Sequence, residues 1–411
     1  MSLKTYRPQP TGNACPYGQH CMPPDWLSGK THFLHTWSPA DTHTALKSPI
    51  KLAIIGGKLQ GVEACYLAKK AGFFSILIDK KENPPAKGMC DKFIQADICK
   101  ADKELIALLK SVDFVLPAME NAVTLAALRK LTGELNIVFD FDAYAITSSK
   151  MKSDLLFREN NIPAPAHYPG GAAPYIAKPV YGSGSSRVTF LATAANAATF
   201  LANCDNPSGW IVQEYLVGKS YSIEVIGQPG NYKTYPITEI HVDKNYDCCM
   251  VTCPCNELTD EQKASFSDTA IKLAEVLKLK GIMDVEAILL GGEMKVLEID
   301  ARIPSQTPTV VYKSSGINLL EELVQNADLK PGAAAHANAS GHVGLARPAS
   351  VEHLEVTITP DGNTVQPYGE GIMANCAPLT LYNNSPSTDE LITDYKNGDS
   401  VACCTLIKTK A

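Results

Sequence analysis

The sequence has no long hydrophobic run. Its apolar stretches, such as Phe73–Ile78, are strand-length, well short of the ~20 residues a membrane-spanning helix needs. The opening residues, MSLKTYRPQPTG, lack the apolar core of a secretory signal. Basic residues are not in excess: 37 Lys and Arg stand against 43 Asp and Glu, for a net charge of −6. No cationic surplus exists to neutralise a phosphate backbone, which argues against a nucleic-acid partner. Cysteine is plentiful, at thirteen residues, but odd in number and irregularly spaced, so it supplies no disulfide framework. These absences lead to the expectation of a cytoplasmic protein with reduced thiols and no membrane partner. The 411 residues are 45% hydrophobic and 19% charged, an ordinary globular balance. At ~150 residues per domain they allow two to three domains.

Residues 1–49 hold seven prolines, four of the nine histidines and two of the three tryptophans, with no sustained period. They read as an irregular extension. Cys15, His20 and Cys21 sit close together and His32 and His35 follow, but the C-x5-C spacing fits no standard zinc pattern. From Leu52 the rhythm becomes β–α–β. Strands are expected at Leu52–Ile55, Phe73–Asp79, Phe93–Ile98, Phe114–Leu116 and Ile137–Phe139, with helices to about Ala71 and over Lys103–Leu109. Continuous apolar strands alternating with helices indicate a parallel, doubly wound sheet over residues 50–145.

Beyond it the grammar changes. A helix over Lys150–Asn160 precedes strands at Tyr175–Lys178, Arg187–Leu191, Ile211–Tyr215, Tyr221–Ile226 and Tyr235–Val242, the last two parted by a turn at Gly227–Tyr232. A helix covers about Asp260–Leu279, and strands Met283–Leu290 and Lys295–Ile299 meet at Gly291-Gly292, a hairpin signal. This is a mostly antiparallel α+β unit over 146–330. A small β-rich subdomain, 331–411, follows an Ala/Gly/His/Asn-rich stretch; V-E-H-L-E-V there reads as a strand with a structural His353.

The hairpin carries the sharpest chemistry. Facing strands can bring Glu286 beside Glu298, since cross-strand neighbours lie ~5 Å apart. Glu298 and Asp300 are two apart and project from one face. Three converging carboxylates repel one another unless cations lie between them, and Mg²⁺ shared with phosphate oxygens is the usual answer. The alternative is a solvent-facing acidic strand edge, which the interleaved Val285, Ala287, Val296, Leu297 and Ile299 would permit. The run E-I-D-A-R-I-P-S-Q-T-P combines too many special residues for that.

With this signature the chain resembles the ATP-grasp ligases, whose metal motif is an acid, a spacer of about a dozen residues, then E-x-N-x-R. Asp300 stands here in place of the usual Asn, and Arg302 closes the motif. The family's remaining order follows: Lys150 before I-P-A-P, Lys178 in Y-I-A-K-P, the loop Gly182-Ser183-Gly184-Ser185-Ser186-Arg187, then Gln213-Glu214-Tyr215-Leu216. Two lysines and a flexible run of backbone N–H groups suit a polyphosphate. Free backbone groups at Glu214–Leu216 suit an adenine edge. Relatives often carry a ribose-binding Glu where this chain has Ser220. The resemblance implies a Rossmann-like N-terminal domain, an ATP-grasp α+β fold and a small C-terminal β-rich subdomain. It also implies ATP and Mg²⁺ as cofactors, with Glu286, Glu298 and Asp300 on the metal and Lys150, Lys178 and Arg302 catalytic.

A narrower resemblance covers roughly residues 51–330. G-G-K-L-Q-G (56–61), D-F-D-A-Y (140–144), Y-S-I-E-V-I-G (221–227), H-V-D-K-N-Y-D-C-C-M-V-T (241–252) and the run 281–319 are similar to the 3-methylornithine–lysine ligases of pyrrolysine biosynthesis. This implies small amino-acid substrates and leaves room for a homodimer. Glu224 and Asp284 would meet the ornithine ammonium groups, with Ser222, Arg302, Ser305, Gln306, Thr307 and Glu370 around them. Leu59, Gln60 and Glu120 would lie near the lysine, and Lys58, Asp79 and Asp97 would contact a nucleotide. The turn at Gly56–Gly61 also has two readings free of that family. One is a dinucleotide fingerprint in which Lys58 crowds the pyrophosphate; the other is a structural turn. Another ATP-grasp amino-acid ligase, an idle nucleotide or amino-acid binder and a nicotinamide oxidoreductase stand as rivals. Cys248, Cys249, Cys253 and Cys255 do not form paired C-x2-C knuckles and read as reduced loop thiols.

Overall fold

The computed structural model describes residues 20–22, 49–182, 184–185, 187–328, 346–359, 362–385 and 388–409. Ser183, Cys15, His32 and His35 lie outside these. Within the extension, β1 (His20–Met22) pairs with a strand of the C-terminal region, so this stretch is not wholly irregular. The pairing partner lies some 340 residues away in sequence, where no local period reveals it.

The N-terminal unit is a parallel sheet in the order β4-β3-β2-β5, built from β2 (Lys51–Ile55), β3 (Phe74–Asp79), β4 (Lys92–Gln95) and β5 (Phe114–Pro117). Helix α1 (Leu59–Lys70) covers one face through Leu52, Ile54 and Leu77. Helices α2 (Lys103–Lys110) and α3 (Ala122–Arg129) cover the other through Ala53, Ile55 and Val115. Burial on both faces explains why these strands read as continuous apolar runs. The strand expected at Ile137–Phe139 is only an isolated bridge from Ile137 to Val115. Asp140 then caps α4 (Phe141–Thr147) and ends any extended run.

After α5 (Lys150–Glu159), a small sheet in the order β7-β6-β8 forms from β6 (Tyr175–Pro179), β7 (Thr189–Leu191) and β8 (Trp210–Glu214), with α6 (Ala194–Ala202) packed on it. The large antiparallel sheet begins with β9 (Ser220–Gln228), β10 (Asn231–Thr234), β11 (Thr238–Val242) and β12 (Cys248–Cys253). Helix α7 (Asp260–Leu277), fixed by a Thr259–Gln262 capping box, leads to the hairpin β13 (Gly281–Leu290) and β14 (Glu293–Asp300). Helices α8 (Thr307–Ser315) and α9 (Leu319–Asp328) follow. The C-terminal strands β15 (Ala349–Thr359), β16 (Gly362–Pro367), β17 (Thr380–Asn383), β18 (Glu390–Thr393) and β19 (Val401–Thr409) extend the same sheet.

A parallel sheet followed by antiparallel sheets is the expected class. Two local expectations fail. The turn at Gly227–Tyr232 is tighter, since β9 runs to Gln228 and β10 restarts at Asn231. The Cys248–Cys253 stretch is not a loop but strand β12, with Cys249, Val251 and Cys253 buried. Cysteine serves there as a small apolar residue, and composition alone hid the strand.

Candidate active site

A cleft of 290 Å³ lies between the two antiparallel sheets. Its floor is one face of β9, β13 and β14, where cross-strand pairs place Ser222 beside Glu286, Glu224 beside Asp284 and Ser220 beside Ile288. Its roof comes from β6, β8 and the glycine-rich segment around Gly182 and Gly184. The opposite strand faces, carrying Ile223, Val225, Val285 and Ala287, pack on α7. Alternation thus divides floor from core on β9 and β13.

On β14 alternation alone would fail. Met294 and Val296 are buried in the core, so Glu298 and Asp300, of the same parity, would follow them there. A bulge intervenes: Glu286 pairs with Glu298 but the next residue, Ala287, pairs with Val296, which leaves Leu297 as the extra residue. Side chains beyond it change face. Leu297, Glu298 and Asp300 therefore all line the cleft.

The charges there are arranged in opposition. Lys150, at the start of α5, donates to the Gly182 carbonyl at 2.9 Å and ion-pairs with Glu298. Burial lowers the Lys178 pKa, while Lys150 stays raised because Glu298 outweighs its burial. Arg302 donates from Nε to Glu120 and from Nη2 to Asp300, both at 3.0 Å, and lies 3.7 Å from Asp284. Gln60 on α1 donates to the same Glu120 oxygen at 3.0 Å. Burial, then Glu298, pushes the Glu286 pKa up to about 7. Burial pushes Asp300 up to about 8 against the pull of Arg302.

Among the described residues no three carboxylate, imidazole or thiol side chains stand close enough to ligate a metal as they are. Lys150 and Arg302 engage Glu298 and Asp300 instead. The donor set still fits Mg²⁺: all oxygens, with Glu286 opposite Glu298, and with burial, then Glu298, disfavouring ionisation of Glu286 and Asp300 until a cation offsets it.

The far end of the cleft is acidic. Glu370, in the turn after β16, accepts from Ser305 Oγ at 2.7 Å and Gln306 Nε2 at 2.5 Å. Four buried side chains nearby, Ser222, Glu224, Asp284 and Thr307, carry polar atoms with no hydrogen-bond partner. Burial raises Glu224 to about 7 and Asp284 well above the carboxylate range.

The cleft thus gathers Lys150, Lys178, Gly182, Gly184, Ser185, Gln213, Glu214, Tyr215 and Leu216 with the acid triad, and Leu59, Gln60 and Glu120 with Asp284, Arg302, Ser305–Thr307 and Glu370. Glu224 and Ser222 lie on its floor strand, fully buried. Lys58, Asp79 and Asp97 are not brought there. The Asp79 carboxylate accepts the Gly57 and Lys81 amides at 2.8 Å, and Asp97 caps Cys99 at 3.0 Å, so both hold local turns. Within the Gly56–Gly61 turn, Gly61 packs tightly on Gly56: a Cβ there would meet the Gly56 carbonyl oxygen at 2.1 Å. At the adenine edge, the Glu214 and Tyr215 amides are not free, since they donate to the Ala166 and Pro174 carbonyls at 2.9 Å. Sequence reasoning missed Tyr246 and Asp247, which enter the cleft from the β11–β12 turn. The turn-forming run D-K-N-Y-D between apolar strands was the signal for them.

The ATP-grasp domain family matches residues 147–306. The 3-methyl-D-ornithine–L-lysine ligase of Methanosarcina acetivorans is 40% identical over 274 residues, which is 66% of this chain and 72% of that protein. The chain belongs to the ATP-grasp family and is an ATP-dependent carboxylate–amine ligase. The corresponding ligase of Methanosarcina barkeri is 39% identical over 66% of this chain and 72% of that protein. Among solved structures, an ADP complex of N5-carboxyaminoimidazole ribonucleotide synthetase superposes with a TM-score of 0.62 at 18% identity, covering 89% of this chain and 94% of that one. The biotin carboxylase domain of Hydrogenobacter thermophilus 2-oxoglutarate carboxylase, bound to MgADP, gives 0.63 at 13% identity over 88% and 86%. These two share the fold. No described helix is long and apolar enough to cross a membrane.

Proposed function

We propose that the chain joins the carboxylate of (3R)-3-methyl-D-ornithine to the ε-amine of L-lysine, with ATP converted to ADP and phosphate, as a step of pyrrolysine biosynthesis. The observation that carries this reading is the polarity of the cleft. Lys150 and Lys178 stand at one end; at the other are two buried acids, Glu224, whose oxygens have no hydrogen-bond partner, and Asp284, which lies 3.7 Å from Arg302. The first end suits a polyphosphate. The second suits an amino acid with two ammonium groups, because buried acceptors without donors are costly until a cation satisfies them.

In this reading the units are residues 50–145, 146–330 and 331–411. The ATP lies over Gln213–Leu216, with Lys150, Lys178 and the segment around Gly182–Ser185 against its phosphates. Glu286, Glu298 and Asp300 would hold Mg²⁺, which when bound neutralises charge on the phosphate oxygens. The ornithine carboxylate oxygen attacks the terminal phosphorus, ADP leaves, and an acyl phosphate results. Lys150 and Lys178, as ammonium groups, stabilise the charge on the transferring group. Arg302, aligned by Glu120 and Asp300, steadies the carboxylate and then the acyl phosphate. The lysine amine, held near Leu59, Gln60 and Glu120, attacks the acyl carbon. Phosphate departs, and the surplus amine proton passes to it or to a nearby carboxylate.

The test is ADP and amide formation with both amino acids, ATP and Mg²⁺. Activity should require both, and Glu298→Gln should lower it by about 100-fold or more, the range for losing one preorganised charge. Ligation by that variant near the wild-type rate would refute the metal assignment. Preference for a different amino-acid pair would refute the substrate assignment alone.

A further inference from the structure

Helix α8 has no cap of its own. Its N-cap residue, Gln306, adopts φ +70° and makes no side-chain bond to the helix. The Gln306 side chain turns away, donating to Glu370 and accepting from the Cys248 thiol at 3.2 Å. The first turn of a helix presents amides that need acceptors. Here one comes from elsewhere in the fold: Glu63, on α1, accepts the Thr309 amide at 2.6 Å from 246 residues away in sequence. Glu63 is buried, also accepts the Gln306 amide and feels the charge of Glu370, yet it does not itself line the cleft and has no part in the chemistry just proposed. A carboxylate at a helix N-terminus is also favoured by the helix dipole.

The two helices it joins serve the two ends of the amino-acid chemistry. One turn before Glu63, α1 brings Leu59 and Gln60 to the cleft; two residues before Thr309, α8 brings Thr307. Further along α1, other bonds hold the packing: Asn318 Nδ2 donates to the Leu67 carbonyl at 2.9 Å, and the Tyr66 hydroxyl donates to Glu390 at 2.5 Å. Glu63 thus ties α1 to α8 near the cleft, while the far part of α1 is anchored independently to the residue before α9 and to β18.

We propose that Glu63 is a positioning residue which, by capping α8 from α1, sets the spacing between the two amino-acid half-sites. This rests on the ligase reading above. With the spacing kept, the amine nitrogen reaches the acyl carbon, the C–O bond to phosphate breaks, and amide forms. With the seam loosened at this end, water attacks that carbon instead, which regenerates the carboxylate and releases phosphate. One ATP is then spent without product. Geometry errors of this kind act on the second step more than on nucleotide binding.

The experiment compares wild type with Glu63→Leu and Glu63→Gln in the full chain, measuring ADP and amide at saturating substrates. Wild type and Glu63→Gln, which keeps an acceptor oxygen, should form about one ADP per amide. Glu63→Leu should form amide about tenfold more slowly, with the ADP-to-amide ratio raised several-fold and KM for ATP within about twofold. A purely structural role would lower both products together; a ratio of one in Glu63→Leu overturns this proposal alone. No amide from wild type overturns the ligase reading and this proposal with it. Should Glu63→Leu not fold, Glu63→Asp, which withdraws the carboxylate by one methylene, should give an intermediate ratio, and a ratio of one there is equally decisive against it.

Discussion

Replacing Glu286 by Gln should make the protein more stable at alkaline pH while nearly abolishing ligation. In the folded chain the Glu286 carboxyl is pushed from 4.5 up to about 7, first by burial and then by Glu298 across the strand. The unfolded chain ionises near 4.5 and the folded chain near 7, so between those values unfolding releases a proton. Stability from this group is therefore intact below pH 4.5 and is lost as pH rises through 7. At about 1.4 kcal/mol per pKa unit the full loss is about 3 kcal/mol. The opposing pull of Lys150, Lys178 and Arg302 is already contained in that value; relaxation and water entry around the ionised group reduce the expected gain to about 2 kcal/mol. Gln keeps the shape and cannot ionise. Urea denaturation without divalent cations should show the variant about 2 kcal/mol more stable at pH 8 and within about 1 kcal/mol of wild type at pH 5. MgADP should then stabilise wild type more than the variant, since a ligand stabilises in proportion to its affinity for the native state. Amide formation should fall about 100-fold. A variant no more stable than wild type at pH 8 would refute the argument that ionising this buried carboxyl costs the folded chain stability.

Two further outcomes test the frame around the site. His353 is buried, with Nδ1 against Thr405 Oγ1 at 2.9 Å and Nε2 without a partner, and burial lowers its pKa to about 4. Its contribution is complete above pH 6.5 and lost as pH falls toward 4, up to about 3 kcal/mol; urea midpoints at pH 7.5 and 4.5 should therefore converge for wild type and His353→Gln on the acid side. Gly61→Ala should destabilise by about 1–3 kcal/mol or more, read by thermal denaturation, because its Cβ would meet the Gly56 carbonyl oxygen at 2.1 Å. Tolerance of that change would mean the turn is open enough to admit a ligand.

Much of the site was legible in advance because its parts are local. A hairpin closed at Gly291-Gly292 brings Glu286 close to Glu298, although simple register would set it opposite Leu297 and the bulge there completes the pairing. Lys150 and Lys178 were readable from their order along the chain, and both line the cleft with the acids. Asp79 and Asp97 lie away from this cleft and hold local turns, since a carboxylate at a strand end can serve a turn amide as well as a ribose and local sequence does not say which. Strand β12 was hidden by four cysteines taken for loop thiols.

The sequence by itself determined the alternation of parallel and antiparallel units and the residue types of the phosphate end, since both are written in short-range periods and spacings. Tertiary structure alone decided three things. The bulge at Leu297 turned Glu298 and Asp300 out of the core, where simple parity would have buried them. Packing left Ser222, Glu224 and Thr307 together with polar atoms that have no hydrogen-bond partner, beside Asp284, giving the acidic end its appetite for a cation. And α1 came to cap α8 through Glu63. Each depends on which surfaces meet across hundreds of residues, and that is settled by the burial of whole faces rather than by any local pattern.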